Sequence, residues 1–276
     1  MKIAMIGETR FPVLPNARGG LARSTFDIAN QLMLNGHDVT LFAPDGSEFE
    51  GRKQRWELFT ADGFDVGLDY SHNHADRGNA PILNLIGDIE CHTMPNNAVV
   101  ESTYMLDKYV RARKVTAGIN VEQASLSTSD DNYLAFIGKD WNKQINVAQE
   151  VAKSAGYNLS VINGTISEAD KWRILWKAKA LLCPYLIDAS PRSPLEAALC
   201  GTPTICLDAD GTKEHVSDGV TGFVCNGVGQ MVNAVSRLGD LDRAAVRSWV
   251  EKRHDIRNTI KEIEAKLYAV AGGERW

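Results

Sequence analysis

Short apolar runs alternate with amphipathic segments at the start of the chain. Residues 3–7 form an apolar run that ends in Gly7, which is typical of a buried first strand. After the pair Gly19-Gly20, apolar residues recur at helical spacing as far as a stop at Gly36. Residues 38–43 predict the next strand. Strand, glycine-rich loop, helix and strand form a βαβ unit with parallel strands, and the helix N-terminus in such a unit suits an anion.

The same alternation continues to the end of the chain. Further strands are predicted over residues 64–68, 81–86, 98–101, 114–118, 133–137, 159–162, 180–186 and 203–207. Further helices are predicted over residues 141–155, 167–176, 193–201 and 256–270. Because each strand is followed by a helical pattern or a loop, the sequence predicts parallel sheets.

Local polar signals set the expected boundaries of these elements. A polar stretch at residues 127–132 predicts a linker, so we expect one domain over residues 1–125 and a second, with a helical tail, over residues 126–276. The run Ser193-Pro194-Leu195-Glu196 predicts a capping box with Ser193 as the N-cap. The expected fold class is α/β, with two doubly wound, Rossmann-like domains facing a cleft.

Composition narrows the class of protein. Thirty Lys and Arg against 35 Asp and Glu give a net charge of −5, which argues against a dedicated electrostatic binder of nucleic acid. The 5 cysteines contain no C-x-x-C pair, so neither a disulfide framework nor a zinc knuckle is expected. The chain also lacks a signal-peptide core and any apolar run near the roughly 18 residues that span a bilayer. We therefore expect a cytoplasmic protein.

Three blocks of the sequence resemble the retaining glycosyltransferases of family 4. The blocks are Gly19-Gly20-Leu21, residues 36–43, and residues 188–223 with their acidic and glycine positions. The resemblance implies the two-domain GT-B fold and transfer of a sugar, with retention, from a nucleotide diphosphate sugar. It implies a UDP-sugar as the expected donor, a hydroxyl acceptor on the N-terminal side, donor binding by the C-terminal domain, and no metal or other cofactor. The site must then hold a diphosphate as negative charge develops on it.

The resemblance also implies roles for individual residues in the C-terminal half. Lys139 and Lys143 would bind the diphosphate, although two solvated surface lysines fit the same pattern. Asp188 would contact the donor sugar together with the following loop, which carries Ser190 and Arg192. Glu196 would hold the ribose, although the capping box alone also explains a glutamate there.

Three further positions are expected near the donor on the same resemblance. Gly20 would let the backbone approach the diphosphate, and Glu214 would lie beside the donor, where an exposed surface carboxylate is the alternative. His74 would lie near the sugar, unless it and His72 are ordinary polar loop histidines. A zinc site at the pair His72 and His74 is disfavoured because no third ligand, the nearby Asp76 included, is convincingly spaced.

Two other polar clusters have ordinary explanations. Asp208-Ala209-Asp210 resembles the metal motif of the other glycosyltransferase fold, but its place in a loop favours turn chemistry. Lys108, Arg111, Arg113 and Lys114 favour a solvated helix face, with an anionic acceptor, including nucleic acid, as the alternative.

The leading hypothesis is a glycosyltransferase, and two alternatives stay open beside it. A nucleotide-sugar-binding protein without transfer activity would explain Lys139 and Asp188 where the family usually has Arg and Glu. A Rossmann dehydrogenase is disfavoured because no G-x-G-x-x-G follows the first strand. The acceptor remains a saccharide, a lipid-linked sugar, a small molecule or a hydroxylated modified base in DNA.

Overall fold

A computed structural model describes residues 1–17, 19–71, 80–87, 95–138, 143–209 and 211–276. The strands are β1 (Lys2–Ile6), β2 (Asp38–Ala43), β3 (Arg52–Arg55), β4 (Val66–Asp69), β5 (Ile82–Ile86), β6 (Ala98–Val100), β7 (Arg113–Lys114), β8 (Tyr133–Ile137), β9 (Asn158–Ile162), β10 (Ala180–Cys183), β11 (Thr204–Leu207) and β12 (Gly222–Cys225). The α-helices are α1 (Gly20–Leu34), α2 (Thr103–Lys108), α3 (Ile145–Ala155), α4 (Glu168–Lys177), α5 (Arg192–Leu199), α6 (Val228–Ser236), α7 (Arg243–His254) and α8 (Ile256–Ala271).

The chain divides into two compact units, each with its own parallel sheet. The first unit comprises Met1–Asn120 and Ile256–Trp276, and the second comprises Val121–Asp255. Among the described residues the first sheet has the order β3-β2-β1-β4-β5-β6-β7 and the second the order β12-β11-β10-β8-β9, with every neighbouring pair parallel. Both are doubly wound orders, so the predicted fold class of two Rossmann-like units is confirmed.

The C-terminal helix belongs to the first unit, which corrects the domain assignment made from the sequence. The apolar stripe of α8, which includes Ile260, Ile263 and Leu267, is buried in the core formed by β1, β2, β4 and β5. The helix also carries Glu264, whose carboxylate accepts from His37 Nε2 over 2.9 Å. The domain predicted over residues 126–276 therefore ends at Asp255. The helical pattern of the tail was correct, but an amphipathic stripe does not state which sheet it will cover.

The polar stretch at residues 127–132 is not a linker. Ser127 is fully buried, its N–H donates to the carbonyl of Cys200 over 3.0 Å, and its carbonyl accepts from Arg243 Nε over 2.9 Å. The division between the units falls earlier, between Asn120 and Val121. The polar side chains suggested an exposed connection. The N–H and carbonyl of Ser127 instead form hydrogen bonds inside the second unit, so this segment is part of that unit.

The sequence prediction also missed strand β12 and helices α2, α6 and α7, and it differs from the structure at sheet edges and strand ends. Strand β3 (Arg52–Arg55) was not predicted, because all four of its residues are polar and exposed at the edge of the sheet. The strand predicted over residues 180–186 ends at Cys183, where Pro184 has no N–H for the ladder. The strand predicted over residues 114–118 is only Arg113–Lys114. Other predicted strands agree within two residues at each end.

Candidate functional site

The strand order of the second sheet marks where a ligand site is expected. Neighbouring strands β8 and β10 lie at the position where the order of the sheet reverses. In open parallel α/β sheets, ligands bind outside the carboxyl ends of the strands at such a switch point. Gly138 follows β8, and the next described residue is Lys143; Tyr185 and Asp188 follow β10. The site is therefore built from the loops that leave these two strands.

Lys143 and Asp188, two residues predicted from the sequence, meet at this edge. The Nζ of Lys143 forms an ion pair and hydrogen bond with Oδ2 of Asp188. The two side chains are 19% and 21% exposed, so the pair is largely but not wholly removed from water. The same ammonium lies 3.7 Å from the centre of the Tyr185 ring, which makes a cation–π contact.

The backbone around Lys143 adopts conformations that few residues accept. Gly138 has φ +152°, and a Cβ there would lie 2.8 Å from Cβ of Lys143, so glycine lets the lysine fold back over it. Gln144 has φ 55° and ψ 52°, a left-handed conformation that is uncommon for a side chain with a Cβ. Such backbone strain clusters at functional sites in proteins.

Tyr185 packs beneath Lys143, and the sequence did not indicate it as a site residue. The residue is 1% exposed, and its hydroxyl donates to the carbonyl of Ile137 over 2.7 Å while lying 3.2 Å from Oγ of Ser193. Burial raises the pKa of Tyr185 well above 10, so the phenol stays protonated and keeps its donor. An aromatic residue two positions after the end of a buried strand was the available signal.

The capping box predicted at Ser193 is wrong. Helix α5 begins at Arg192 with Pro191 as its N-cap, and no side chain caps it. The hydroxyl of Ser193 lies within hydrogen-bond distance of Tyr185, and the carboxylate of Glu196 forms ion pairs with cationic side chains. Tertiary partners thus replaced the local cap that the sequence suggested.

Glu196 lies in a buried cluster of charges. Its Oε1 is 3.0 Å from Nζ of Lys171 and 3.3 Å from Nε of Arg192, and the three side chains are 2%, 7% and 8% exposed. Lys171 also pairs with Glu168 over 2.5 Å, and Nη2 of Arg192 donates to Oε1 of Gln123 over 3.1 Å. The predicted residues Arg192 and Glu196 therefore contact each other, and the ion pair of Glu196 with Lys171 joins helix α5 to α4.

The loop after β10 is fixed to the loop after β11. Ser190, half-buried, has its Oγ 3.0 Å from Nε2 of the buried His215. His215 ends a 3₁₀ turn, Thr212–His215, which also carries the predicted residue Glu214. Glu214 is half-buried, and its N–H donates to the carbonyl of Gly211 over 3.2 Å. Ser190 and Glu214 thus belong to one connected pair of loops, and His215 is a second residue that the sequence did not single out.

Several predicted positions lie elsewhere or outside the described residues. Gly20 is the first residue of α1 in the first unit, where a Cβ would meet no described atom within 4 Å. Lys139, His72 and His74 lie outside the described residues, so their expected roles stay predictions.

The described residues show neither a metal-binding cluster nor a membrane-spanning helix. Asp208 pairs with Lys213 over 2.7 Å at the surface, and Asp210 is not among the described residues. Within the ranges given above, no group of three or more His, Cys, Asp or Glu side chains is placed to hold a metal ion. None of the described helices combines the length and apolar character needed to cross a bilayer.

The basic cluster is exposed but is not one helix face. Lys108 ends α2, whereas Arg113 and Lys114 form the edge strand β7. Arg113 pairs with Glu274 over 2.5 Å and lies 3.9 Å from the ring centre of Trp276, and Nζ of Lys114 donates to Thr103 over 2.7 Å. Arg113 and Lys114 are therefore engaged in contacts within the chain.

Two buried acidic residues at the first sheet were also missed. Glu8 follows β1 and is 2% exposed, and its Oε1 accepts from the N–H of Arg10 over 2.7 Å. Asp69 ends β4, is 2% exposed, and accepts from the N–H of Ser71 over 2.7 Å. Strands β1 and β4 flank the switch point of this sheet. A carboxylate at the end of an apolar run was the signal in both cases.

Two units with doubly wound parallel sheets define the Rossmann-like class of α/β protein, in which ligands bind outside the carboxyl ends of the strands. Residues 120–262 match the sequence profile of the family "Glycosyl transferases group 1". That match covers just over half of the chain, and the chain therefore belongs to this family of glycosyltransferases. No curated protein sequence matches it.

Solved structures, among them that of a glycosyltransferase, have the same fold. AviGT4, a glycosyltransferase involved in avilamycin A biosynthesis, is 15% identical with a TM-score of 0.82, over 100% of this chain and 99% of its own. HepE from Anabaena, in complex with UDP-glucose, is 14% identical with a TM-score of 0.70, over 98% and 100%. Sucrose-phosphate synthase from Thermosynechococcus elongatus is 14% identical with a TM-score of 0.65, over 98% and 96%. At these identities the likeness concerns the fold alone.

Proposed function

We propose that this glycosyltransferase moves a sugar from a UDP-sugar to a hydroxyl acceptor, with retention at the anomeric carbon and without a metal. The observation that carries the proposal is the ammonium of Lys143, held at the switch point of the second sheet against Asp188. The resemblance to retaining family 4 enzymes supports the stereochemical outcome. A UDP-glucose complex of HepE, a protein of the same fold, supports the choice of nucleotide.

Lys143 supplies the positive charge that the departing diphosphate needs. As the bond to the sugar breaks, negative charge grows on the diphosphate, and a fixed ammonium stabilises that charge most strongly where water is largely excluded. The lysine is 19% exposed, which meets this requirement. Lys139 is proposed as a second cation on the same diphosphate. Two cations in place of a divalent ion account for transfer without metal.

Before a donor binds, the Asp188 carboxylate pairs with the ammonium that we assign to the donor diphosphate. We propose that a diphosphate competes with the Asp188 carboxylate for the ammonium of Lys143 and displaces it. The freed carboxylate can then accept hydrogen bonds from hydroxyl groups of the sugar. Each charge-assisted hydrogen bond of this kind contributes about 1.5–3 kcal/mol.

The rest of the predicted donor site completes the proposal. Ser190 and Glu214 lie on the two connected loops after β10 and β11, and we assign them to the sugar side of the donor. Arg192 and Glu196 brace the start of α5, and the ribose contact of Glu196 remains a prediction. Gly20 is proposed to let a diphosphate approach the N-terminus of α1, and His74 to lie near the sugar.

The acceptor is proposed to be a saccharide or a small molecule with a free hydroxyl. The leaving diphosphate takes the proton of that hydroxyl on the same face of the sugar from which it departs, so no protein base is needed. A net charge of −5 gives no support to a nucleic acid acceptor. We place the enzyme in the cytoplasm, in keeping with the four buried free thiols among the described cysteines.

A ligand panel tests this proposal. Thermal unfolding is measured with UDP, GDP, ADP and TDP and their sugars, in buffer containing EDTA. A rise in melting temperature with UDP and UDP-sugars, followed by metal-free hydrolysis of one UDP-sugar, is the expected result. Stabilisation by another nucleotide overturns the choice of UDP. Binding without hydrolysis or transfer over a broad set of acceptors overturns the catalytic proposal.

A further inference from the structure

Tyr185 is bound at both of its ends. Its hydroxyl is held by the carbonyl of Ile137 and by Ser193, at 2.7 and 3.2 Å, and its ring packs edge-on against Phe136 with centres 6.3 Å apart. The side chain is 1% exposed. The ring therefore occupies one fixed position at the junction of β8, β10 and α5.

The ammonium of Lys143 lies over the face of this fixed ring. The Nζ lies 3.7 Å from the ring centre, well inside the range in which a cation is attracted to the face of an aromatic ring. A lysine on four flexible methylene groups otherwise loses much rotamer freedom when it is held in one place. Tyr185 thus restrains Lys143 independently of Asp188.

We infer that Tyr185 is a positioning residue for the diphosphate of the donor, acting through Lys143. The inference rests on the proposed function, because it requires a diphosphate to take the place of the Asp188 carboxylate. When that exchange happens, the carboxylate partner is lost and the ring remains. The ammonium therefore stays aimed at the same point before and after the donor binds.

Two substitutions at Tyr185 distinguish the contribution of its ring to UDP binding from that of its hydroxyl. Tyr185→Leu removes the ring face, and the dissociation constant of UDP, measured by calorimetry in EDTA, is expected to rise about three- to tenfold. Tyr185→Phe keeps the ring and is expected to change that constant about twofold or less. Tyr157→Leu is the control, since Lys179 lies 5.9 Å from the Tyr157 ring in the same unit. It should bind UDP as the unmodified protein does.

A double-mutant cycle distinguishes positioning of Lys143 from a general loss of structure. In a Lys143→Ala background, Tyr185→Leu is expected to cause no further loss of UDP affinity, because its effect passes through the missing ammonium. Full additivity of the two changes, or Tyr185→Leu binding as tightly as the unmodified protein, overturns the inference.

Fluorinated phenylalanines at position 185 keep the test valid if Tyr185→Leu does not fold. They preserve the ring's shape while each added fluorine weakens the negative potential of its face, so UDP affinity should fall stepwise with fluorine number. An affinity that does not change along the series overturns the inference.

Inorganic pyrophosphate serves as a second probe that separates this inference from the proposed function. If pyrophosphate binds and UDP does not, the choice of nucleotide fails, and the Tyr185 variants are compared with pyrophosphate, where the same fold-changes are expected. If the unmodified protein binds neither, the proposed function and this inference both fall. If it binds either one and the Tyr185 series shows no effect, only the inference falls.

Discussion

The backbone N–H of Gly211 donates to the carbonyl oxygen of Asp188 over 3.0 Å. The two backbones approach so closely that a Cβ on Gly211 would lie 1.9 Å from the carbonyl oxygen of Ala189. This contact fixes the loop that carries Asp188 and Ser190. Glycine is needed at position 211 for space, since its φ of −76° is one that any residue adopts.

Gly211→Ala should therefore lower both stability and donor binding. The added methyl group must push two backbone segments apart, which costs about 1–3 kcal/mol in packed proteins. Urea unfolding followed by fluorescence measures the change. Gly164→Ala is the matched control, because a Cβ at Gly164 meets no described atom within 4 Å. A Gly211→Ala protein as stable as the unmodified one would show that the two loops are not locked together.

Gly20→Ala should raise the stability of the fold while weakening the binding of UDP. No described atom lies within 4 Å of a Cβ at this position in α1, so alanine should stabilise the fold by up to about 1 kcal/mol. If a diphosphate approaches this backbone, the same methyl group should weaken UDP binding, by roughly tenfold for a loss of about 1.4 kcal/mol.

Gly229→Ala provides the control for Gly20→Ala. Gly229 lies in the first turn of α6, and a Cβ there would also meet no described atom within 4 Å. It should gain similar stability with no change in UDP affinity. Unaltered UDP affinity in Gly20→Ala would remove Gly20 from the donor site.

Glu196→Gln tests the buried charge cluster. The substitution leaves Arg192, whose side chain is 8% exposed, without its carboxylate partner, while Lys171 keeps Glu168; breaking a buried ion pair costs about 3–5 kcal/mol. Chemical unfolding should show a loss of this order. Glu251→Gln, which removes a half-exposed partner of Arg247, should cost about 1 kcal/mol or less. Equal losses in the two variants would contradict the bracing role assigned to Glu196.

Stability should fall at alkaline pH, and two buried thiols contribute to that loss. Burial raises the pKa of Cys183 and of Cys200 to about 12, from an ordinary value of 9.0. Between pH 9 and about 12 the unfolded thiols lose protons that the folded ones keep, so their contribution is full below pH 9 and is lost above it. The expected slope is about 1.4 kcal/mol per pH unit for each thiol.

Cysteine variants check this slope. The unfolding free energy of Cys200→Ala, measured from pH 8 to 11, should decline less steeply than that of the unmodified protein. The thiols should also resist a thiol-reactive dye at pH 8 until the protein unfolds, because the protonated thiol is a poor nucleophile. An identical slope in both proteins would contradict the assignment of the alkaline loss to this residue.

The sequence predicted the central strands well because those strands are buried on both faces. Apolar runs such as those of β1, β8 and β10 have no other stable place than the middle of a parallel sheet. The edge strand β3 shows the limit, since its four exposed polar residues carry no such pattern. The helical pattern of α8 was equally clear, but its partner sheet depends on the path of the chain.

The candidate site was predictable in part for a related reason. Lys143 and Asp188 were found because their residue types and spacing follow the family that the sequence resembles. Tyr185 and His215 were not, because their roles arise from contacts between loops that only the folded chain brings together. Ser193 is a further example, because its hydroxyl contacts Tyr185 instead of capping helix α5.

Calorimetric titration of UDP in EDTA tests the central claim most directly. The unmodified protein should bind UDP, and Lys143→Ala should lose about 1.5–3 kcal/mol of binding free energy, roughly 10- to 150-fold in affinity. Lys179→Ala, which removes a half-buried lysine 3.9 Å from Asp130 in the same unit, should bind as the unmodified protein does. Equal UDP affinity in the unmodified protein and Lys143→Ala would contradict the assignment of this lysine to the donor diphosphate.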